Sequence, residues 1–466
     1  MNHSISASRQ KTVIAILMLG AFIAILNQTL LTTVLPEIME SFHLTSNTAQ
    51  WLTTIFMLVN GIMIPITAFL IGRFTTRGLF STAVGLFLVG SLICLAAPNF
   101  SLLLIGRAIQ AAGAGILMPL VQTVLFVIFP PNKRGMAMGM FGLVIGFAPA
   151  IGPTAAGWIV NIYPWRILFL IIFTISLIDI LLGYFFIHDI TERENITLDK
   201  WSIVLSTLGF GGLLYGFSMA GQIGWENVQV YGTIVFSIII LYFFIRRQLK
   251  LKEPMLEFRV FKAFDFTISM TLIVFMFMIF LGTMTVLPIY MQTMRDFTSL
   301  ESGLILLPGG LFMGLLSPVA GKIFDKLGGR ILAIGGMLFI AVGSFLISLF
   351  SSQTSVIYII IAFSILMIGN AGIMTSMTTA AINALPQHLI SHGTAMNNTI
   401  RQIAAAIGTG ILVTMMTNFA LNTEVYGGTG IIHGLQVTYR TVTGVAIISF
   451  ILAFFVRNQQ TATDGE

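Results

Sequence analysis

The chain has 466 residues, of which 56% are hydrophobic and only 9% are charged. A soluble domain carries about 25% charged residues, so this composition excludes a protein whose surface mainly faces water and predicts one embedded in lipid. The net charge of +6 would suggest nucleic acid in a soluble protein, but here the basic residues follow a topological pattern, and we expect no nucleic-acid partner.

Fourteen apolar runs are long enough to cross a bilayer, because a spanning helix needs about 20 mostly apolar residues. The first run follows a polar N-terminal segment and has no small-residue cleavage site, so we predict a retained helix and not a signal peptide. The sequence therefore predicts an all-α integral membrane protein. The runs cover residues 12–36, 50–72, 79–97, 101–128, 135–161, 165–187, 201–222, 228–248, 267–292, 302–323, 331–350, 355–385, 392–420 and 436–457.

Lysine and arginine are distributed unevenly between the two sides of these runs. With the N-terminus in the cytoplasm, only Arg166 and Arg295 fall in outer loops, and Arg107, Arg401 and Arg440 lie within runs. All other basic residues fall in cytoplasmic segments, so the positive-inside rule places both termini in the cytoplasm. We predict a multi-pass protein of the cell membrane, specifically a bacterial plasma membrane.

Three short patterns recur in the same order about 250 residues apart. The pattern T-V-L-P ends the first and ninth runs, and G-x-A-M opens the fifth and thirteenth. The stretch from Pro65 to Arg77 matches the stretch from Pro318 to Arg330. This repeat pairs runs one to six with runs nine to fourteen in the same orientation. Such duplicated bundles are typical of transporters that bind their substrate near the midplane, between the two halves.

The repeat predicts three parts along the chain. An N-terminal six-helix bundle covers 1–187, and a C-terminal six-helix bundle covers 267–466. Between them, 188–266 contains two inserted helices, 201–222 and 228–248, with their cytoplasmic linkers.

Four segments share their spacing of glycine, proline and polar residues with one known family. They are G-R-A-I-Q-A-A-G-A-G at 106–115, G-P-T-A-A-G at 152–157, G-K-I-F-D-K-L-G-G-R at 321–330 and N-N-T-I-R-Q at 397–402. The segments resemble signatures of the major facilitator superfamily, and more narrowly of its fourteen-span drug:proton antiporters, over nearly the whole chain. The resemblance implies a secondary active multidrug efflux transporter of the antibiotic-resistance type, which exchanges protons, or alternatively sodium ions, for amphipathic drugs by alternating access.

The same resemblance implies gating roles for two of these segments. In the family, the fifth-span signature seals exporters against leak, and the loop signature forms a conformational latch. The first-half loop has Gly72 where the second-half loop has Asp325, so we expect the latch only in the second half. The expected gating residues are Gly152, Pro153, Gly157, Gly321, Asp325 and Arg330.

Charged residues within or beside the runs are candidates for ion coupling, because a charge at the bilayer centre costs about 2.5–3.5 kcal/mol on insertion scales. Asp179 is the only carboxylate well inside a run and can exchange a proton. Arg107 stays charged and can influence the protonation of a neighbour, and Glu37 lies at the outer mouth of the first run. Structural alternatives stay open: Asp179 can pair with a base, Arg107 can join helices through hydrogen bonds, and Glu37 can be a solvated helix end.

Polar and aromatic residues along several runs predict a central substrate cavity, although polar side chains also join helices in membranes. The 25 Met and 39 Phe of the chain suit walls that re-pack around different ligands. Asn27 stands where many relatives carry an aspartate linked to cationic substrates, so the resemblance does not imply a strict preference for dications. The interior carries more fixed positive than negative charge, so we expect zwitterionic, neutral or weakly acidic drugs. The expected substrate-binding residues are Asn27, Gln28, Trp51, Asn60, Gln110, Tyr290, Gln292, Asn398 and Arg401.

Other classes of protein fit the sequence less well. The chain has no Walker-type loop, metal-ligand cluster or nucleophile constellation, so we predict neither an enzyme nor a cofactor. Channels usually assemble as oligomers around a filter, whereas a duplicated bundle is expected to act as a monomer. An exporter of one specific metabolite, and a sensor of transporter shape, stay open as alternatives.

Overall fold

A computed structural model describes residues 7–190, 199–420 and 428–457, and these residues form an all-helical protein. Within them, 14 helices are long and apolar enough to cross a membrane, which confirms the predicted number of spans. Arg193, one of the basic residues assigned to the cytoplasm, and the two chain ends lie outside the described residues.

The fourteen spanning helices are labelled α1 to α14 in chain order. The first six are α1 (Ala7–Thr33), α2 (Trp51–Arg73), α3 (Thr76–Ala96), α4 (Phe100–Ile128), α5 (Arg134–Val160) and α6 (Arg166–Phe186). The next two are α7 (Lys200–Ile223) and α8 (Val228–Lys250). The last six are α9 (Phe264–Met294), α10 (Ser299–Leu327), α11 (Gly329–Ile347), α12 (Val356–Asn383), α13 (Ile390–Asn418) and α14 (Gly428–Ala453).

Polar side chains fix where several of these helices begin. Asn99 before α4 and Ser355 before α12 each accept a hydrogen bond from a backbone N–H in the first turn. Thr298 before α10 forms a reciprocal capping box with Glu301. Such caps satisfy N–H groups that have no partner within the helix, so these helices begin with fewer unpaired amides.

The structure corrects the end of the first run. The predicted run extends to residue 36, but α1 ends at Thr33 and a separate short helix covers Leu35–Phe42. Pro36 lies in the first turn of the short helix, where its missing N–H costs nothing. Glu37 therefore belongs to the short helix and not to the first span.

Consecutive spans of one chain cross the membrane in alternating directions, so the odd-numbered helices all begin at one face. This face carries Arg73, Lys133 and Lys326 at the helix ends, and we name it the basic face. The other is named the opposite face. At the basic face Asp199 caps α7 and accepts hydrogen bonds of 2.6 and 2.8 Å from Arg247 of α8. The Arg247 guanidinium holds the pKa of the Asp199 carboxyl well below its usual range.

The α5 and α10 helices pack with their backbones almost in contact. A Cβ on Gly139 would lie 2.7 Å from Cα of Pro318, and a Cβ on Gly146 would lie 2.5 Å from the backbone nitrogen of Gly314. A Cβ on Gly321 would overlap the carbonyl oxygen of Gly135. Small residues allow such close approach in lipid, where van der Waals packing holds helices together. This contact joins the first six helices to the last six.

The α7 helix joins the same two groups of helices at a different place, between α2 and α13. Leu214 of α7 fills the space beside Gly61 of α2. Just beyond the end of α7, Trp225 Nε1 donates a 2.6 Å hydrogen bond to Thr414 Oγ1 of α13. The neighbouring α8 helix packs on α7, but only 17% of the residues in its most apolar 18-residue stretch are buried. Most of its surface is therefore left to face lipid.

The close approach of α5 and α10 predicts a large difference between two glycine substitutions. Gly321→Ala is expected to lower the free energy of unfolding by about 1–3 kcal/mol, because overpacked side chains force backbones apart. Gly335→Ala in α11 serves as the control, since a Cβ there meets nothing within 4 Å and gains the same helix propensity. Thermal unfolding of the purified variants in detergent measures the difference. Equal melting temperatures would contradict the packing described for α5 and α10.

Candidate functional site

A cavity of about 340 Å³ lies at the centre of the helix assembly. Its walls come from α1, α2, α4 and α5 of the first six helices and from α9 and α13 of the last six. The volume lies at the low end of the range for small-molecule sites, roughly 300–1,000 Å³. Most of the lining is apolar and deformable. The largest apolar side chains of the lining are Met57, Met118, Phe277, Phe280 and Met284.

Polar side chains are concentrated on the parts of the cavity wall formed by α1, α2 and α13. Of the residues predicted to bind substrate, the cavity is lined by Gln28, Asn60, Asn398 and Arg401. It is also lined by Thr29, Thr285 and Gln402, which were not among them. The Thr285 hydroxyl donates a 3.1 Å hydrogen bond to a carbonyl of its own helix. Many threonines in membrane helices do the same, so nothing in the sequence marked Thr285 as part of a site. For Gln402, the sequence did contain a signal: the residue follows Arg401 and belongs to the polar face of the thirteenth run.

Arg401 lies at the cavity wall with its side chain held by an aromatic ring. The guanidinium carbon is 4.2 Å from the centroid of the Phe277 ring, which is a cation–π distance. The residue is 8% exposed. In the described part of the chain, its Nε and Nη1 have no hydrogen-bond partner, and it forms no ion pair. Arg401 is therefore a buried positive charge without a protein counter-ion among these residues.

Amide side chains of α13 contact the first six helices beside Arg401. Asn398 Nδ2 donates hydrogen bonds to Gln122 Oε1 of α4 at 2.7 Å and to the Thr394 carbonyl at 2.8 Å. Gln402 Nε2 lies 3.4 Å from the Met57 carbonyl oxygen of α2. The polar face of the thirteenth span thus serves both as cavity wall and as contact between the two groups of helices.

Arg107 lies in α4, outside the cavity lining, and is fully buried. Its Nη1 donates hydrogen bonds to Asn27 Oδ1 at 3.1 Å and Gln110 Oε1 at 2.9 Å. Gln110 Nε2 in turn donates to Ser91 Oγ at 2.8 Å, and the guanidinium carbon is 4.4 Å from the Phe56 ring centroid. Asn27 and Gln110, both expected to bind substrate, are therefore turned toward Arg107 and away from the cavity.

Three further residues expected to bind substrate lie elsewhere. Trp51 packs near Tyr215 of α7, with ring centroids 6.0 Å apart. Tyr290 Oη donates a 2.7 Å hydrogen bond to the Ser351 carbonyl. Gln292 is exposed near the end of α9. All three lie toward the opposite face, because their helices continue beyond the depth of the cavity.

The two carboxylates expected to couple ions lie outside the cavity lining. Asp179 of α6 is fully buried, and a Cβ on Gly20 of α1 would lie 2.9 Å from its Oδ2 and close to Leu117 and Phe80. Both carboxyl oxygens of Asp179, and Oε2 of Glu37, have no hydrogen-bond partner among the described residues. The expected alternative in which Asp179 pairs with a base is not seen in this part of the chain.

The acidic residue of the loop signature caps a helix of the other half. Asp325 of α10 accepts hydrogen bonds from the backbone N–H groups of Gly135 and Met136, both at 2.8 Å. These groups belong to the first turn of α5, where the helix dipole favours a negative charge. Arg330 of the same signature is exposed, and Gly321 lies in the close α5–α10 contact described above.

The fifth-span signature lies at the other end of the α5 contact. Pro153 lines the cavity. A Cβ on Gly152 would lie 3.2 Å from the Thr29 Cβ of α1, and one on Gly157 would lie 3.5 Å from Leu300 of α10. The segment therefore packs between α1 and α10, where it is placed to affect how these helices separate.

Further polar contacts join the two groups of helices between the cavity and the basic face. Thr123 of α4 and Thr394 of α13 are joined through their hydroxyl oxygens at 2.6 Å. Arg134 Nη1 at the start of α5 donates a 3.0 Å hydrogen bond to Asn383 Oδ1 at the end of α12. Together with Asp325, these contacts hold the first and last six helices together on the side of the basic face.

Comparison with known proteins gives consistent matches in sequence and in structure. The family model described as Major Facilitator Superfamily matches residues 17–409. The chain is 48% identical to the uncharacterized MFS-type transporter YcnB of Bacillus subtilis (strain 168), over all of this chain and 99% of the relative. It is 41% identical to the lincomycin resistance protein LmrB of Listeria monocytogenes serovar 1/2a (strain ATCC BAA-679 / EGD-e), over 87% of this chain and 86% of the relative.

A solved structure shows the same fold. The human organic anion transporter MFSD10 (TETRAN) superposes with a TM-score of 0.67 and 14% sequence identity, over 95% of this chain and 99% of that chain. At this identity the similarity concerns the fold alone. It confirms the fold that was predicted from the repeat and the motifs.

The Asp325 contact predicts that removing its charge opens the basic face. In Asp325→Asn the side chain keeps one acceptor oxygen and loses hydrogen bonds of a charged group, which contribute about 1.5–3 kcal/mol. A reporter, Thr375→Cys in a Cys94→Ala background, lies beside Gly142 of α5 and is buried. Its labelling by a soluble maleimide in nanodiscs is expected to rise roughly tenfold or more, since each 1.4 kcal/mol corresponds to about tenfold.

The matched control is Asp296→Asn, which changes an exposed loop carboxylate with a positive φ of 53°, a conformation that asparagine tolerates. Its labelling rate is expected to equal that of the reporter background. An unchanged rate in Asp325→Asn would mean that the contact does not hold the basic face closed.

Proposed function

The chain belongs to the major facilitator superfamily, and on that premise we propose that it is a secondary active exporter of amphipathic drugs that works by alternating access. The observation that carries the proposal is the central cavity, whose walls come from both the first six and the last six helices. When one group of helices rocks against the other around such a site, the site opens to one face and then to the other. In this proposal, 1–187 and 267–466 move as two bodies, and 188–266 is an inserted part.

The character of the cavity supports drugs as cargo. Three methionines and two phenylalanines form its largest apolar surfaces, and such side chains re-pack around ligands of different shape. A relative 41% identical to this chain is named for lincomycin resistance. We therefore propose drugs as the cargo of this chain. The competing possibility, export of a single metabolite, is distinguished by the substrate test below.

We further propose that the basic face is cytoplasmic and that the structure is the state closed to the cytoplasm. The excess of lysine and arginine on this face supports the orientation. The contacts of Asp325 with α5, and of Thr123 with Thr394, support the closure. A chain in this state would release its cargo to the outside. When these contacts open, the cavity would bind a new cargo molecule from the cytoplasm.

Proton coupling through Asp179 is proposed for the driving step. Its carboxyl packs against Gly20 of α1, near the apolar side chains of Phe80 and Leu117. A sodium ion would need several oxygen ligands at this place, whereas a proton needs only the carboxylate itself. Protonation removes a charge that is costly in this environment. The α1 helix also carries Gln28 of the cavity wall, so a shift of α1 would link proton and cargo. We also propose that Glu37 is a proton site at the outer end of the path. Arg107 is proposed to hold α1 in place through its hydrogen bond to Asn27.

Everted membrane vesicles with imposed gradients test the function. The native chain is expected to accumulate a fluorescent amphipathic drug when the vesicle interior is acidic, and not when only a sodium gradient is imposed. Uptake of several unrelated drugs separates a multidrug exporter from an exporter of one metabolite. Absence of drug uptake under either gradient would refute the proposed export.

The coupling residues are tested in the same vesicles. Asp179→Asn is expected to reduce proton-driven uptake at least roughly tenfold while drug binding is retained, because the variant mimics a permanently protonated acid. Glu37→Gln and Arg107→Ala are expected to slow uptake, and Asp296→Asn serves as the exposed control. If Asp179→Asn, Glu37→Gln and Arg107→Ala all transport like the native chain, the assigned coupling is wrong although export stands.

A further inference from the structure

The charged groups that line the cavity are of one sign. Arg401 is the one charged side chain among the described residues that line it, and no aspartate or glutamate of the described chain belongs to the lining. The remaining polar lining consists of amides and hydroxyls, which are neutral. A ligand in this cavity therefore meets a net positive wall at α13.

The two buried arginines of the bundle differ in how their charge is accommodated. Arg107 donates to Asn27 and Gln110 and lies away from the cavity. Nε and Nη2 of Arg107 have no partner among the described residues either, but its Nη1 is bonded twice. Arg401 is 8% exposed at the cavity wall, and neither its Nε nor its Nη1 has a hydrogen-bond partner in the described part of the chain. A buried charge without a partner costs several kcal/mol, so an arginine at a cavity wall is placed to gain its partner from the ligand.

The surroundings of Arg401 fit a planar anionic head group. The Phe277 ring covers the guanidinium at 4.2 Å and restricts how it can turn. A guanidinium presents a fork of N–H donors that matches a carboxylate with two parallel hydrogen bonds. Asn60 and Gln402 line the cavity with Arg401, and their side-chain amide N–H groups are further donors that a carboxylate can accept from.

The remainder of the cavity fits an apolar body. Met57, Phe280, Leu281 and Met284 line it together with Ile64. Burying an apolar tail against such walls is favourable by about 25 cal/mol per Å². A molecule with a carboxylate at one end and a hydrocarbon or aromatic body at the other satisfies both parts of the cavity at once.

We propose that the cavity selects amphipathic carboxylates, whose head group binds Arg401 while the apolar body lies among the methionines and phenylalanines. This inference rests on the proposed export function and names the chemical class of its cargo. It assigns to Arg401 the role of a specificity-determining residue, distinct from the structural role that Arg107 has in holding α1.

Binding of two matched probes to the full-length chain in nanodiscs tests the inference. The probes are dansylaminoundecanoic acid and its primary amide, which share the ring and the chain and differ only in the charge of the head group. The native chain is expected to bind the acid at least tenfold more tightly than the amide. Arg401→Gln is expected to weaken binding of the acid about 10- to 100-fold and to change binding of the amide less than threefold.

A matched control and a second variant keep the result interpretable. Arg440→Gln removes an arginine of α14 that is exposed and outside the cavity lining, and it should leave both affinities unchanged. Arg401→Lys keeps the charge but lacks the fork, so it should retain part of the preference for the acid. This variant replaces Arg401→Gln if the glutamine variant does not fold, which thermal unfolding and gel filtration of the purified protein determine independently of binding.

Two outcomes would overturn the inference. Equal affinities of the native chain for acid and amide, or an equal loss of both in a folded Arg401 variant, would reduce Arg401 to a structural residue. In that event, vesicles that still export the amide would leave the proposed function intact. Vesicles that export neither probe nor any drug would instead remove the proposed function, and the inference with it.

Discussion

Lipid offers no hydrogen-bond partner, so every polar group placed inside the bilayer must find one within the protein or face a cavity. The buried charges of this chain illustrate the alternatives. Arg107 donates to Asn27 and Gln110 and so ties α4 to α1. Arg401 lines the cavity, where a ligand is the partner that we propose for it. Asp179 is buried against α1, where gaining a proton removes its charge.

The same constraint links helix packing to gating. Glycines along α5 and α10 bring the two backbones together, and this approach places the Asp325 carboxylate at the first turn of α5. The close packing and the proposed latch therefore lie in one place, between the cavity and the basic face. The α7 helix spans the gap between α2 and α13 elsewhere, so any rocking of the two groups of helices must also displace α7.

The number and order of the helices could be predicted because apolar length is a local property of the sequence. The direction in which a side chain points could not, since it depends on how each helix is rotated against its neighbours. Asn27 and Gln28 are adjacent, yet Gln28 lines the cavity and Asn27 turns to Arg107. The depth of a side chain in the membrane could not be predicted either. Tyr290 lies on a helix that lines the cavity, but its hydroxyl donates a hydrogen bond to the Ser351 carbonyl near the opposite face. Arg401 was found because a charge within an apolar run is visible without any tertiary information.

The central feature of the proposed mechanism is that two groups of helices open one cavity to each face in turn. Electron–electron distance measurements on two spin-labelled pairs test this directly, with Asn132 and Lys326 across the basic face and Asn161 and Thr293 across the opposite face, all of which are exposed. Changing pH or adding transported drug is predicted to lengthen one distance while the other shortens. Distances that lengthen together, or that stay constant in a sample that transports drug, would contradict the account.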